Sequence, residues 1–161
     1  MTDVRWLDER EERAWRALQF MQMRLEAELA RQLANGSGLS YPDYLVLVAL
    51  TDRTEGRLRL FELGEILGWE KSRLSHHIGR MADRGLVKKE KCDSDRRGAF
   101  VAVTKHGRRA IEAAAPGHVD IVRHLFIDKV TPAELDVISI VAERVLASFD
   151  QAPPSPVHPQ D

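Results

Sequence analysis

The sequence predicts a mainly α-helical fold with one small β hairpin. Apolar residues recur every three or four positions along most of the 161-residue chain, which is the period of one helix face. Two short helical stretches, over residues 60–67 and 70–84, are joined by a turn that contains Gly68, the pattern of a helix-turn-helix. Two β-prone runs around a polar loop follow directly and indicate a hairpin. The fold class is therefore a winged helix-turn-helix, flanked by helices at both ends of the chain.

Composition and charge are those of an ordinary soluble chain. Hydrophobic residues make up 43% of the sequence and the formal net charge is −1, which excludes a wholly disordered chain. The single cysteine, Cys92, excludes a disulfide framework within the chain and a multi-cysteine zinc site. The first residues lead into acidic sequence, and no apolar stretch approaches the roughly 18 residues that cross a bilayer. We therefore expect a cytoplasmic protein that does not enter a membrane.

A long first helix is predicted over residues 7–33, because its apolar residues share one face. These residues are Trp15, Leu18, Met21, Leu25, Leu29 and Leu33. The pair Asn35-Gly36 predicts the end of the helix, since both residues tolerate positive φ. Ser40 then caps a second helix, with Asp43 as the weaker partner in a capping box. This second helix, over residues 41–51, is apolar nearly all round and is predicted to be buried.

The helix-turn-helix is preceded by a very short strand at residues 57–59. Its first helix, over residues 60–67, is predicted to turn Leu63, Ile66 and Leu67 inward, and Gly68 can provide a left-handed exit. Its second helix, over residues 70–84, has one apolar stripe and ends at Gly85. The stripe consists of Leu74, Ile78 and Met81.

The wing and the last two helices complete the chain. The wing strands are predicted over residues 86–91 and 100–103, around the polar loop 92–98. Thr104 caps a helix that ends near residue 126. The run Thr131-Pro132-Ala133-Glu134 starts a last helix, which ends near Phe149. Four prolines after residue 152 predict a disordered tail over 150–161.

Narrow apolar seams with spacings of three and four run along the last two helices. They comprise Ile111, Ala114, His118, Ile121 and Leu125 in one helix, and Leu135, Ile138, Ala142, Val145 and Phe149 in the other. Such seams either complete the chain's own core or pack against a second copy, and we favour a two-fold dimer. The prediction is a single domain over 1–149, with a winged-helix part over about 41–103 and dimerisation helices over about 7–34 and 104–149.

The near-zero net charge hides a basic middle segment. Residues 71–109 hold twelve Lys or Arg against four Asp or Glu, so the remainder of the chain is acidic. A basic segment between acidic flanks favours a polyanionic partner. A solvated charged face is the alternative interpretation.

Two strings carry a resemblance to a known family. They are L-G-W-E-K-S-R-L-S-H-H-I-G-R-M-A-D-R-G-L-V from Leu67 and D-S-D-R-R-G-A-F-V-A-V-T-K-H-G from Asp93. Over about residues 6–149 the chain resembles the multiple antibiotic resistance regulator (MarR) family of bacterial winged-helix proteins. The resemblance implies a homodimer that binds a pseudo-palindromic operator in double-stranded DNA. Such proteins usually repress transcription, and many release DNA when a small aromatic ligand binds or a cysteine is oxidised.

DNA contact is predicted for the second helix of the helix-turn-helix, because the major groove admits one helix whose first two turns reach the base edges. The candidate residues are Lys71, Ser72, Arg73, Ser75, His76, His77 and Arg80. Arg73 or His76 could read guanine, and Arg84 is expected to contact phosphate or an acidic neighbour. On the wing, the family's pattern implies that Asp95 holds Arg97. Arg96 or Arg97 then enters the minor groove, whose negative potential suits arginine.

Other functional signals in the sequence are weaker. The resemblance places an effector pocket where the dimer helices meet the winged helix, and its candidate walls, each also a candidate core residue, are Trp15, Phe20, Met23, Tyr44, Phe61 and Trp69. Peroxide sensors of the family place their cysteine in the first helix, so no redox role is predicted for Cys92. We expect no catalytic site, metal or cofactor. The rival to a DNA-binding regulator is a winged helix that binds an acidic protein partner.

Overall fold

The computed structural model describes residues 4–91 and 99–149. Six helices and three strands follow one another as α1 (Glu9–Ser37), α2 (Tyr41–Thr51), β1 (Arg57–Arg59), α3 (Leu60–Leu67), α4 (Lys71–Asp83), β2 (Val87–Lys91), β3 (Ala99–Val103), α5 (Lys105–Leu125) and α6 (Pro132–Phe149). The predictions for the wing tip, Cys92, Asp95, Arg96 and Arg97, and for the tail over 150–161 lie outside the described residues. The chain divides into two compact units, Met1–Val122 and Arg123–Asp161. The single domain over 1–149 stays a prediction.

The first two helices begin at reciprocal caps. Asp8 and Glu11 form a capping box at the start of α1, and Ser40 and Asp43 form one at the start of α2, as predicted for α2. The predicted end of α1 at Asn35-Gly36 is wrong by two residues. The helix continues to Ser37 and ends at Gly38, which has φ 69°, because a single left-handed glycine is enough to stop a helix.

The winged-helix core combines α2, α3, α4 and an antiparallel sheet of order β1-β3-β2. Strand β3 pairs on both sides, with Val101 opposite Leu58 of β1 and Lys89 of β2. The fully buried side chains include Leu47, Leu50, Leu63, Leu74, Ile78 and Met81. The prediction that Ile66 faces inward is wrong, since this side chain is half exposed. The helix α3 has only two turns, and Leu63 is its one fully buried residue.

The first half of α5 belongs to the same core. Thr104 Oγ1 accepts a hydrogen bond from Gly107 N at 2.9 Å, which confirms the predicted cap. Ile111 and Ala114 are buried in the core cluster, so the structure corrects their assignment to a dimer interface. Ile111 lies beside Tyr44 and Val48 of α2. His118 is partly buried and its ring lies 4.2 Å from that of Tyr44.

The second unit contains α6. Thr131 N donates to Glu134 Oε2 at 2.7 Å, and Glu134 N donates to Thr131 Oγ1 at 3.3 Å, as the sequence predicts for this start. Within the described residues, α6 buries no side chain. Its exposed apolar side chains include Val137, Ile138, Ile140, Val141, Val145, Leu146 and Phe149.

Candidate nucleic-acid interface

The recognition helix α4 presents a cationic, hydroxyl-bearing surface at its N-terminal half. Leu74, Ile78 and Met81 anchor the helix in the core, which leaves the other faces to solvent. The exposed side chains are those of Lys71, Ser72, Arg73, His76 and Arg80, while Ser75 is half buried. No acidic residue lies in the first turn, although Glu70 directly precedes it as the N-cap.

Trp69, just before α4, supports Arg73. The Arg73 guanidinium carbon lies 4.6 Å from the centre of the Trp69 ring, a cation–π arrangement. The guanidinium is thereby held over the indole ring while its N–H groups stay available. A guanidinium that is oriented in advance loses less conformational entropy when it makes a bidentate contact with guanine.

His77 faces inward, and the prediction that it contacts DNA is corrected. Its side chain is 7% exposed, because position 77 lies one helical turn from Leu74 and from Met81 on the inner face. Its Nδ1 lies 3.0 Å from Nη2 of Arg80. Arginine can only donate, so Nδ1 accepts this bond and Nε2 carries the proton of the neutral ring. Burial lowers the pKa of His77, although the charge of Asp43 opposes the shift.

Asp43, in α2, is the charged group at the back of α4. It is 1% exposed and accepts a 2.6 Å hydrogen bond from Nη1 of Arg84. His77 Nε2 lies 3.1 Å from Asp43 Oδ1, without the alignment of a hydrogen bond. Burial alone would raise the pKa of Asp43, but the hydrogen bonds from Arg84 and Ser40 outweigh it and hold this pKa below its ordinary value. The carboxylate is therefore charged at neutral pH.

The base of the wing carries a second group of cations. The guanidinium carbons of Arg57 and Arg59 lie 5.0 and 5.1 Å from the centre of the Phe100 ring. Arg57 also pairs with Glu55 at 2.8 Å, and Lys88 pairs with Glu90 at 2.7 Å. These pairs neutralise part of the outer sheet surface, whereas Arg59 forms no ion pair within the described residues.

The six predicted pocket walls do not form one cavity. Phe61 and Trp69 line a cleft of about 420 Å³ between α3, α4 and β3, with Lys71 and Glu65 also on its wall. Phe20 and Met23 lie on a groove of α1 alone. Tyr44 lines a third cleft beside α5, and Trp15 is half exposed. Sequence alone could not separate these residues, because aromatic character marks core, cleft and interface alike.

Over residues 4–91 and 99–149, no cluster of three His, Cys, Asp or Glu residues forms a candidate metal site. The described helices include none that is both long enough and apolar enough to span a membrane.

The fold and this surface define a class of protein: a winged helix-turn-helix regulator of transcription. The particular family follows from similarity. The MarR family model matches residues 37–98, which include α2, β1, α3, α4 and β2. The curated regulator HosA of Escherichia coli is 28% identical over 108 residues, 67% of this chain and 78% of its own length.

Solved structures extend the similarity over the whole fold. AbsC, a MarR family transcriptional regulator from Streptomyces coelicolor, is 35% identical, with 92% of this chain and 100% of that chain covered and a TM-score of 0.85. Sco3205 from the same organism, a MarR family transcriptional regulator solved in complex with DNA, is 34% identical over 96% of this chain and 95% of its own, with a TM-score of 0.86. The chain belongs to the MarR family of transcriptional regulators.

Proposed function

We propose that this protein is a homodimeric regulator that binds a pseudo-palindromic site in double-stranded DNA with α4 in the major groove. The observation that carries the proposal is the outer surface of α4. Its first two turns expose three cationic or imidazole groups, Lys71, Arg73 and His76, together with the hydroxyl of Ser72. Charged groups supply phosphate affinity, and the mixed donors and acceptors suit base edges.

Each residue of this surface is assigned a role from its position along α4 and from the contacts of its side chain. Arg73, oriented by Trp69, and His76 are assigned to base edges. Lys71, Ser72 and Ser75 are assigned to phosphate or to base edges at the rim of the groove. Arg80 lies two turns along and bonds His77, so its free N–H groups are assigned to phosphate. The wing residues Arg96 and Arg97, with Asp95 as their support, are assigned to the minor groove.

Dimerisation is proposed through the terminal helices. The N-terminal half of α1 exposes Trp15, Leu18, Phe20, Met21 and Met23, and α6 exposes the apolar residues named above. Large exposed apolar surfaces on a chain of this size mark protein contacts. Ile121, Leu125, Leu135, Ile138, Ala142, Val145 and Phe149 remain interface candidates, and His118 lies at the margin of the core.

The rival function is a module that binds an acidic protein. The dependence of DNA affinity on salt concentration and on duplex sequence distinguishes the two functions. A fluorescence anisotropy titration with duplexes from the DNA that flanks the protein's own gene tests it directly. DNA affinity should fall steeply with salt, because each phosphate contact releases condensed counterions. Absence of binding to every flanking duplex at about 50 mM salt would favour the protein partner instead.

We further propose that the protein represses transcription and that a small aromatic acid relieves it. The cleft of about 420 Å³ at Phe61 and Trp69 is within the size range of ligand sites, and Lys71 can pair with a carboxylate. A ligand that stacks on Trp69 would compete with Arg73 for this ring. Transcription in vitro from the bound promoter tests repression, and titration of benzoate-type acids, followed by tryptophan fluorescence and DNA release, tests relief.

A further inference from the structure

We propose that Asp43 is a positioning residue for DNA reading, which fixes the axis of α4 so that its exposed side chains meet the base edges in register. The inference rests on the proposed function, since it concerns how the same helix is aimed. Asp43 does not reach the surface of the chain, so its effect on DNA must pass through other residues.

Asp43 contacts α4 at two points, through a hydrogen bond from Arg84 and a close approach to His77 that lacks hydrogen-bond alignment. Its Oδ1 faces His77 Nε2 at 3.1 Å, and its Oδ2 accepts from Arg84 Nη1 at 2.6 Å. His77 lies in the middle of α4, and Arg84 is its C-terminal cap. Seven residues separate them, about 10 Å along a helix axis. The apolar stripe of α4 already packs in the core, and two contacts to one carboxylate this far apart further restrain the direction of the helix on that packing.

The same carboxylate joins α4 to the end of α1. Arg84 donates a second hydrogen bond, from Nη2 to the carbonyl oxygen of Gly38 at 3.2 Å. Gly38 is the left-handed residue that ends α1, and Asp43 also accepts from Ser40 N at 2.9 Å in the following turn. The recognition helix is thus tied to the helix proposed for dimerisation. In a dimer this link would set the spacing of the two recognition helices, and hence of the half-sites.

The direction of the change in DNA affinity distinguishes a positioning role from a purely electrostatic one. Asp43 is an anion behind a helix that is proposed to bind a polyanion. If its only influence on DNA were electrostatic, its neutralisation would strengthen binding to every sequence. If it positions α4, neutralisation weakens binding to the preferred sequence and leaves non-specific binding unchanged or slightly stronger. The two influences therefore predict opposite changes.

The experiment compares two duplexes and two variants. The first duplex is selected by the wild-type protein from a random-sequence pool, and the second is a scrambled duplex of the same length and composition. Asp43→Asn should lower the ratio of specific to non-specific affinity by about tenfold. Asp83→Asn is the matched control, because it removes the same charge from an exposed position of α4, and it should leave the ratio unchanged. An unchanged ratio for folded Asp43→Asn overturns the proposal.

Arg84→Gln tests the proposal independently if Asp43→Asn does not fold, because the Arg84 side chain is 46% exposed and its replacement creates no cavity. A positioning role predicts a loss on the selected duplex alone with an unchanged salt slope. A direct phosphate contact predicts equal losses on both duplexes and a salt slope lower by about one per half-site, which would contradict the proposal. If the wild-type protein selects no sequence at all, the proposed function fails, and that result is distinct from either outcome for the variants.

Discussion

Arg73, which we propose to read a base edge, is held in place by contacts within the chain. Its guanidinium rests on Trp69, and the same ring forms a T-shaped pair with the ring of His77, with ring centres 5.3 Å apart. The outer contact is therefore supported by an inner one, which in turn approaches Asp43. Contacts that begin at a buried residue therefore restrict the orientation of an exposed hydrogen-bond donor.

We expect Arg73→Ala to weaken binding to the preferred duplex by about 1–3 kcal/mol per half-site and to relax selectivity at one base pair. The reason is the loss of a bidentate contact. Lys71→Ala is the comparison, since loss of a phosphate contact weakens binding to all sequences and lowers the salt slope by about one per half-site. Titrations of both variants against a set of single-base substitutions measure the difference. Equal behaviour of the two variants would contradict the assignment of Arg73 to a base edge.

The buried histidines predict a dependence of stability on pH. Burial lowers the pKa of His77 and of His118, so each ring takes up a proton at lower pH in the folded chain than in the unfolded chain, where the pKa of histidine is about 6.5. The unfolded state then binds more protons, and the free energy of unfolding falls as pH drops through about 6.5, by at most about 1.4 kcal/mol per pH unit for each ring.

Urea unfolding between about pH 7.5 and about pH 5.5 measures this dependence. We expect His77→Gln to reduce the loss of stability, since the amide keeps a donor and an acceptor but does not titrate. His106→Gln, at an exposed position, is the control and should leave the loss as it is. Equal stability of the wild-type protein at both ends of this range would show that the two rings are not held neutral.

At the scale of elements, the close approach of α5 to the start of the wing depends on one glycine. A Cβ built on Gly107 would lie 2.0 Å from the backbone oxygen of Leu86, so no side chain fits without displacement of backbone. Thr104 Oγ1 donates to the carbonyls of Gly85 and Leu86 at 2.6 and 3.2 Å, and these bonds hold the two segments together. The approach brings Ile111 and Ala114 over the core.

Gly107→Ala should therefore destabilise the fold by about 1–3 kcal/mol or more, as overpacking does. Gly79→Ala in α4 is the matched substitution, because a Cβ at Gly79 meets no atom within 4 Å. It should stabilise the protein by about 0.5–1 kcal/mol through helix propensity. Thermal or urea unfolding of the two variants measures the expected decrease and increase in the free energy of unfolding. A neutral Gly107→Ala would contradict the packing of α5 on Leu86.

Elements could be predicted from sequence wherever a local signal decides them. Ser40, Thr104 and Thr131 cap helices as predicted, and Gly68 and Gly85 adopt left-handed φ. The pairing of β2 with β3 also agrees with the predicted hairpin. These features need only neighbours in the chain, which the sequence displays.

Features that depend on distant residues could not be predicted in the same way. The partner of Arg84 lies 41 positions away in Asp43, and no spacing in the sequence indicates it. The burial of Ile111 and Ala114 depends on where α5 crosses α2, so a seam of this kind fits a core or an interface equally well. The burial of His77 could have been predicted, since positions 74, 77, 78 and 81 form one continuous helix face. Because histidine is polar, the prediction assigns it to the exposed surface instead.

At the scale of the whole molecule, two-fold symmetry would give the DNA-reading surface its selectivity. One helix reads only a few base pairs, and a dimer reads two such half-sites at a spacing set by its own geometry. Asp43 and Arg84 lie between the proposed dimer helix α1 and the reading helix α4. Loss of the dimer should thus cost far more DNA affinity than loss of any single base contact.

Val145→Asp in α6 tests the dimer. Val145 is half exposed in the chain, and in a dimer seam the new carboxylate would be buried without a partner, at a cost of several kcal/mol for each copy. We expect light scattering to report the 18.3 kDa chain rather than twice that mass, or insoluble protein, together with loss of operator binding. Ala147→Asp adds the same charge on the face of α6 that carries Asp136 and Glu143, opposite Val145, and should remain a dimer with normal affinity. A soluble Val145→Asp dimer that binds DNA like the wild-type protein would remove α6 from the interface.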